Sequence, residues 1–178
     1  MGTKANQAGK TKGNVSVLPV AEQLIISNQV NASDSLVQAY RASAASILEH
    51  RISAATSKTA TGMDKDLWVV DAVLKGEKMT FGDDVKGFWM DMGEDNTYKY
   101  GSYEVQMGSG KYFFDVDKST LLTIDNDTRI KPQEFQTILT NDALVLVGSA
   151  VYGDNNMQAK FQRKDAMPVK PAKKPLVE

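Results

Sequence analysis

The sequence predicts a mainly β protein, an up-and-down barrel of eight antiparallel strands preceded by a helical segment. Short runs of alternating apolar and polar residues follow one another from Leu67 to Arg163. This alternation is typical of half-buried strands. Turn residues separate the runs, and no helical period interrupts them. Such a series is expected to close into a barrel, because closure removes both exposed edges of the sheet.

The N-terminal part of the chain is expected to contain a leader and a helical segment. Residues 1–14 are polar and lack any period, which predicts a flexible leader. Residues 15–56 are predicted to form a helical segment packed on the barrel. Within it, a short helix over residues 19–30 competes with a strand over residues 15–20.

The main helix is predicted over residues 33–56. Ser33 is a suitable N-cap, and the following Asp34 lies where the helix dipole favours negative charge. Five apolar residues recur at helical spacing and define the face expected to pack on the barrel: Leu36, Tyr40, Ala44, Ile47 and Leu48. The alternative is a helix that binds a partner protein or a second copy.

Residues 57–66 are predicted to be a linker, 67–163 the barrel, and 164–178 a flexible tail rich in proline and lysine. Gly108 and Gly110 are expected to form a turn between two strands. Residues 78–84 are predicted to be irregular or a short extra strand. The eight strands are expected at residues 67–74, 86–92, 97–105, 111–116, 119–124, 134–139, 143–149 and 157–163.

Four motifs give the barrel region a family resemblance. They are Asp66-Leu67-Trp68, the turn Glu94-Asp95-Asn96-Thr97-Tyr98, the element Gly101-Ser102-Tyr103, and Thr140-Asn141-Asp142-Ala143-Leu144-Val145-Leu146. With Arg163 at the end of the last strand, these motifs resemble the bacterial lipocalin-like proteins of the calycin group over about 100 residues. Asp66 and Asn96 replace glycines of the family pattern, and Tyr103 replaces its second tryptophan.

The resemblance implies a structural contact between Trp68 and Arg163. In a closed antiparallel barrel the first and last strands pair, so these two residues are expected to lie close together. Lipocalin-like proteins stack a guanidinium across an indole at this place, a cation–π contact of about 0.5–2 kcal/mol. The alternative is that Arg163 is a solvated strand end.

Alternation along the strands predicts which side chains line the barrel interior. Aromatic and methionine residues with tyrosine hydroxyls suit a small apolar or amphipathic ligand. The alternative is a filled barrel that serves as a structural or protein-interaction module. The expected ligand-binding residues are Phe88, Met90, Tyr98, Tyr100, Tyr112, Phe114 and Phe135.

Composition argues against catalytic, metal and cofactor chemistry. The chain has no cysteine, and His50 is its single histidine. Without cysteine, thiolate catalysis and cysteine metal sites are excluded. A single histidine leaves almost none of the residues that serine–histidine hydrolysis requires. The acidic turns lack the glycine and glutamate spacing of a calcium-binding EF-hand. No spacing selects a pair of catalytic carboxylates, so we expect a non-enzymatic protein with no cofactor and no metal.

Charge and the N-terminal residues predict partners and location. Residues 1–20 carry a net charge of +3 and residues 164–178 carry +2, whereas 21–163 carry −6. The negative charge of residues 21–163 argues against nucleic-acid binding. We also expect the protein to be a monomer. Residues 2–14 are similar to the tether that follows an acylated cysteine. This predicts an exported, lipid-anchored periplasmic or outer-membrane protein whose only membrane contact is that anchor; the alternative is a cytoplasmic protein.

Overall fold

A computed structural model describes residues 33–55 and 62–172. The predictions for the leader, for the short helix or strand before residue 31, for residues 57–61 and for residues 173–178 lie outside the described residues. The described part contains helix α1 and nine strands, with a short 3-10 helix at Gly82–Asp84. The elements are α1 Asp34–Ala54, β1 Leu67–Lys75, β2 Lys78–Phe81, β3 Phe88–Met92, β4 Thr97–Ser102, β5 Val105–Asp115, β6 Thr120–Asp125, β7 Gln133–Leu139, β8 Ala143–Gly148 and β9 Met157–Lys164.

The strands form one antiparallel sheet in the order β2-β1-β3-β4-β5-β6-β7-β8-β9, and pairing of β1 with β9 closes it. Strands β2 and β3 pair with different parts of β1, β2 with residues 72–75 and β3 with residues 67–69. Because β2 and β3 share one edge of β1, the two short strands count as a single strand of the barrel, which therefore has eight strand positions. The predicted eight-stranded antiparallel barrel preceded by a helix is therefore confirmed. Residues 78–84, which were predicted to be irregular or a short extra strand, form strand β2 followed by the 3-10 helix.

Because neighbouring strands run in opposite directions, their connections lie at two ends. We call the upper end the one that carries the β4–β5, β6–β7 and β8–β9 connections. The lower end carries the β3–β4, β5–β6 and β7–β8 turns and the start of β1. Large side chains fill the interior between the two ends, and fully buried ones include Trp68, Phe88, Met92, Leu121, Leu144 and Phe161.

Helix α1 packs on the outer face of β5 and β6. Ala44 and Leu48 form a buried cluster with Leu122 of β6 and Tyr152. The predicted face was wrong at its start, since Leu36 is 43% exposed and the neighbouring Val37 is 3% exposed. The face of the helix that contacts the barrel continues to the partly buried Arg51, whose guanidinium lies 3.6 Å from the carboxylate of Glu134 on β7.

The turn predicted at Gly108 and Gly110 was also wrong, because both residues lie inside β5. The chain instead turns at residues 103–104, where Tyr103 adopts a left-handed backbone conformation with φ 50°. The two glycines are needed for packing across the sheet. A Cβ at Gly108 would overlap the ring of Tyr100, and a Cβ at Gly110 would overlap the ring of Tyr98.

Candidate functional site

A cavity of about 50 Å³ lies in the upper half of the barrel, and we call it the upper cavity. Its lining is mainly apolar and comes from most of the strands and from the β6–β7 connection. Five of the seven residues predicted to bind a ligand line it: Phe88, Met90, Tyr98, Tyr100 and Phe135. This volume accommodates about three to five water molecules, whereas pockets for drug-sized ligands hold about 300–1,000 Å³.

The structure places Tyr112 and Phe114 away from this cavity. Tyr112 is buried in the barrel core, where its hydroxyl donates a hydrogen bond of 2.8 Å to the Gly93 carbonyl. Burial raises the pKa of this hydroxyl, and the nearby Asp64 carboxylate adds to the shift. Phe114 lines a pocket at the lower end. These positions follow from the length of β5, which crosses the whole barrel, so its inward residues reach different depths.

Asp125 gives the upper cavity a polar end that sequence reasoning missed. It ends β6, is 7% exposed and lines the cavity. Tyr100 Oη donates to Asp125 Oδ2 at 2.7 Å, and the Asp127 main-chain N–H donates to Oδ1 at 2.7 Å. The sequence did contain a signal for this inward position, because Asp125 alternates with the inward residues Leu121 and Thr123 and so lies on the same face of the strand. The sequence prediction instead ended this strand at residue 124 and left Asp125 in the following loop.

The two stacked tyrosines connect this polar end to the apolar wall. The ring centroids of Tyr98 and Tyr100 lie 6.0 Å apart, with an angle of 20° between the ring planes. Burial raises the pKa of the Tyr98 hydroxyl well above its usual range, and the negative charge of Asp125 raises it further. Tyr98 therefore remains a neutral hydroxyl that can donate or accept a hydrogen bond.

Lys131 is a second polar residue beside the cavity that the sequence did not reveal. It is 6% exposed, and its ammonium donates a hydrogen bond of 3.0 Å to the Asp154 carbonyl in the β8–β9 connection. Burial lowers its pKa, and the Asp154 charge opposes that shift. The aliphatic stem of such a buried lysine adds apolar surface. Lys131 thus links the β6–β7 connection to the β8–β9 connection, and its ammonium group is bonded to the Asp154 carbonyl.

Arg41 of helix α1 holds the β6–β7 connection, residues 126–132, that covers the cavity. Its guanidinium donates to the main-chain carbonyls of Asp125, Asp127 and Ile130, at 2.7, 3.1 and 2.7 Å. Since Asp125 and Ile130 both line the cavity, these three bonds link the helix to the position of the cavity wall. The planar guanidinium is suited to several carbonyls at once because it presents five N–H donors.

At the lower end, Trp68 and Arg163 lie in contact. They are register partners between β1 and β9, and the guanidinium carbon is 4.4 Å from the centre of the indole. Arg163 also donates to the carbonyls of Gly62 (2.8 Å), Lys65 and Asn141, and Trp68 Nε1 donates to the Met63 carbonyl at 2.8 Å. An open pocket of about 310 Å³ lies beside Arg163 and is lined by Phe114, Leu139 and Thr137.

The described residues contain neither a metal-ligand cluster nor a membrane-spanning helix. In the ranges 33–55 and 62–172, no three His, Asp or Glu side chains gather closely enough to hold a metal ion. In those ranges no helix has the length and apolar character required to cross a bilayer.

Comparisons with known proteins give weak similarities. No protein-family model matches the sequence, and no curated protein matches it. A DUF4847 family protein from Bacteroides vulgatus aligns at 10% identity and TM-score 0.41, covering 58% of this chain and 96% of its own. A protein from Bacteroides uniformis aligns at 13% identity and TM-score 0.39, covering 57% and 88%. Both TM-scores are low, so nothing about this chain's function is inferred from these two proteins.

Proposed function

We propose that this protein is a non-enzymatic binding module whose upper cavity takes a small amphipathic molecule. The observation that supports this most directly is a cavity with an apolar wall and one buried carboxylate, Asp125. Ligand sites commonly combine such a wall with a few polar groups that fix orientation. The cavity volume restricts the bound part of the ligand to about three to five non-hydrogen atoms.

The proposal is tested by titrating the full chain with short amphiphiles and following its melting temperature and its methionine methyl NMR signals. Met90 and Met157 line the cavity and therefore report binding locally. A ligand present at ten times its Kd should stabilise the fold by about 1.4 kcal/mol. The proposal fails if no short alcohol, amine or acid moves either methyl signal or the melting temperature.

A matched pair of variants separates binding in the cavity from binding elsewhere. Ala159 is 3% exposed and lines the cavity, so Ala159→Met should fill the space and abolish binding. Ala166 is exposed in the tail, and Ala166→Met should leave binding unchanged. Fatty acids and isoprenoids form a further arm, and their binding would require the barrel wall to rearrange because the cavity is too small for them.

A second function, a structural or protein-interaction module, is favoured by the nearly complete filling of the barrel. The interior includes fully buried Trp68, Leu121 and Leu144. This alternative expects no small molecule to shift the melting temperature, and it expects Ala159→Met to be tolerated without functional loss.

We further propose that the protein is exported and lipid-anchored, which rests on the polar composition of residues 2–14. The genomic reading frame tests this location: an upstream hydrophobic segment that ends in cysteine supports it, and its absence overturns it in favour of the cytoplasm.

A further inference from the structure

The Asp125 carboxylate has acceptor capacity that the residues in 33–55 and 62–172 leave unused. An ionised carboxylate offers about four lone-pair sites. Within the described part of the chain, Asp125 receives one hydrogen bond from Tyr100 Oη and one from the Asp127 N–H. It is 7% exposed and lines the upper cavity. Two acceptor sites of this carboxylate therefore have no partner among those residues, and the side chain lines a space that a ligand can enter.

The neighbouring cationic side chains are engaged elsewhere. The Lys131 ammonium donates to the Asp154 carbonyl, and the Arg41 guanidinium donates to main-chain carbonyls rather than to the carboxylate. Across residues 33–55 and 62–172, no Lys, Arg or His nitrogen forms an ion pair with Asp125. The Asp125 carboxylate is thus buried without an ion pair in these ranges, although the Arg41 guanidinium lies at its main-chain carbonyl, and a cation that enters the cavity would offset part of the cost of that burial.

We infer that the upper cavity selects a small organic ammonium ion, with its charged nitrogen on Asp125 and its hydrocarbon part against Phe88, Met90 and Phe135. This inference rests on the proposed binding function. The aromatic faces beside the carboxylate add to the selection, because a cation is attracted to the face of an aromatic ring. An alcohol of the same length gains the hydrogen bond without the charge, and a carboxylate ligand is repelled by Asp125.

The test compares three probes of equal chain length on the full chain at pH 7: n-propylammonium, 1-propanol and propionate. Methionine methyl NMR gives the Kd of each and shows whether Met90 and Met157 respond. For four non-hydrogen atoms we expect a Kd of about 1 mM for propylammonium. Propanol should bind at least about tenfold more weakly, and propionate more weakly still.

A pair of variants assigns the preference to one carboxylate. Asp125→Asn keeps the side-chain shape and removes the charge, so propylammonium and propanol should then bind within about threefold of each other. Asp117→Asn changes an exposed carboxylate in the β5–β6 turn at the other end and should keep the preference. The ranking in the unmodified protein needs no variant, so the inference is still tested if Asp125→Asn fails to fold.

The outcomes distinguish this inference from the proposed function. If none of the three probes binds, the binding function fails and the ammonium preference fails with it. If propanol binds as tightly as propylammonium, or if Asp125→Asn keeps the preference, the binding function stands and the ammonium inference is overturned.

Discussion

Tyr100 is the residue that joins three strands around the candidate site. Its backbone lies in β4, its ring covers Gly108 of β5, and its hydroxyl donates to Asp125 of β6. The ring occupies the space that a side chain at Gly108 would need, and the hydroxyl donates one hydrogen bond to a buried carboxylate. Local packing and the chemistry of the cavity therefore depend on one side chain.

We expect Tyr100→Phe to lower the free energy of unfolding by about 1–3 kcal/mol, because the Asp125 carboxylate loses one of the two hydrogen bonds it receives from the described residues while it remains buried. The ring and its packing on Gly108 are kept. Urea unfolding measures the change, and Tyr103→Phe at a half-exposed position is the control, expected to stay within about 0.5 kcal/mol. Equal values for the two variants would contradict the role given to the Tyr100 hydroxyl.

Asp127 gives the β6–β7 connection a dependence on pH. A side-chain hydrogen bond from Arg129, with its charge, lowers the pKa of Asp127 to about 2. A lowered folded pKa means that this contact stabilises the fold above the ordinary pKa, about 4, and that its contribution is lost as pH falls from about 4 to about 2. The contribution is small because the pair is largely exposed to solvent.

An NMR titration of the Asp127 carboxyl carbon is expected to show a midpoint near pH 2, because the hydrogen bonds from Arg129 lower the pKa of this carboxyl to about 2. Arg129→Gln removes the donor and should return the midpoint towards about 3.9. Lys164→Gln, at the far end of the barrel, should leave it unchanged. An unchanged midpoint in Arg129→Gln would show that the Arg129 guanidinium does not cause the shift.

At the scale of elements, helix α1 supports the cavity through the connection that covers it. Arg41→Met keeps the apolar stem and removes the donors to three carbonyls. Amides of residues 126–131 should then exchange with deuterium at least about tenfold faster, since a tenfold change corresponds to about 1.4 kcal/mol of local opening.

Glu49→Met is the matched control for Arg41→Met, because Glu49 is exposed on the same helix. It should leave exchange in residues 126–131 unchanged, as judged by mass spectrometry of the same peptides. Equal exchange in the two variants would mean that the helix rests on the barrel without fixing the connection.

The sequence predicted elements better than it predicted their faces and turns. Alternation fixed the strand series because each strand has one inward face. Leu36 and Val37 are adjacent and both apolar, so helical period alone did not decide which one the barrel would bury. Gly108 and Gly110 indicated a turn by composition, whereas their role depends on tyrosine rings from a neighbouring strand. Contacts between strands distant in sequence are not visible in local pattern.

For the candidate site, local sequence pattern predicted the inward aromatic and methionine residues but not the buried charged residues. Five predicted aromatic and methionine residues line the upper cavity because inward alternation was identified correctly. Asp125 and Lys131 were missed because acidic and basic residues near a turn are normally solvated. Their burial depends on the helix and on the β8–β9 connection, which pack over the barrel only in the folded chain.

At the scale of the whole molecule, barrel closure determines how much sheet edge is left for association. Pairing of β1 with β9 covers both ends of the strand series. Strand β2 pairs with β1 on one side, is four residues long and begins with Lys78. Short edges and lysine both oppose edge-to-edge association. Phe81 on this strand is 68% exposed, so any association through the edge would involve it.

We therefore expect a monomer of 19.5 kDa, measured by light scattering during size-exclusion chromatography at several protein concentrations. A mass that doubles with concentration would contradict this expectation. Phe81→Lys then locates the contact: it should restore the monomer if the exposed face of β2 associates, because a charge at that position opposes burial. Ile138→Lys, at another exposed apolar position on β7, is the control for a general effect of added charge. A dimer that persists in Phe81→Lys but is lost in Ile138→Lys would place the association on the β7 side of the barrel.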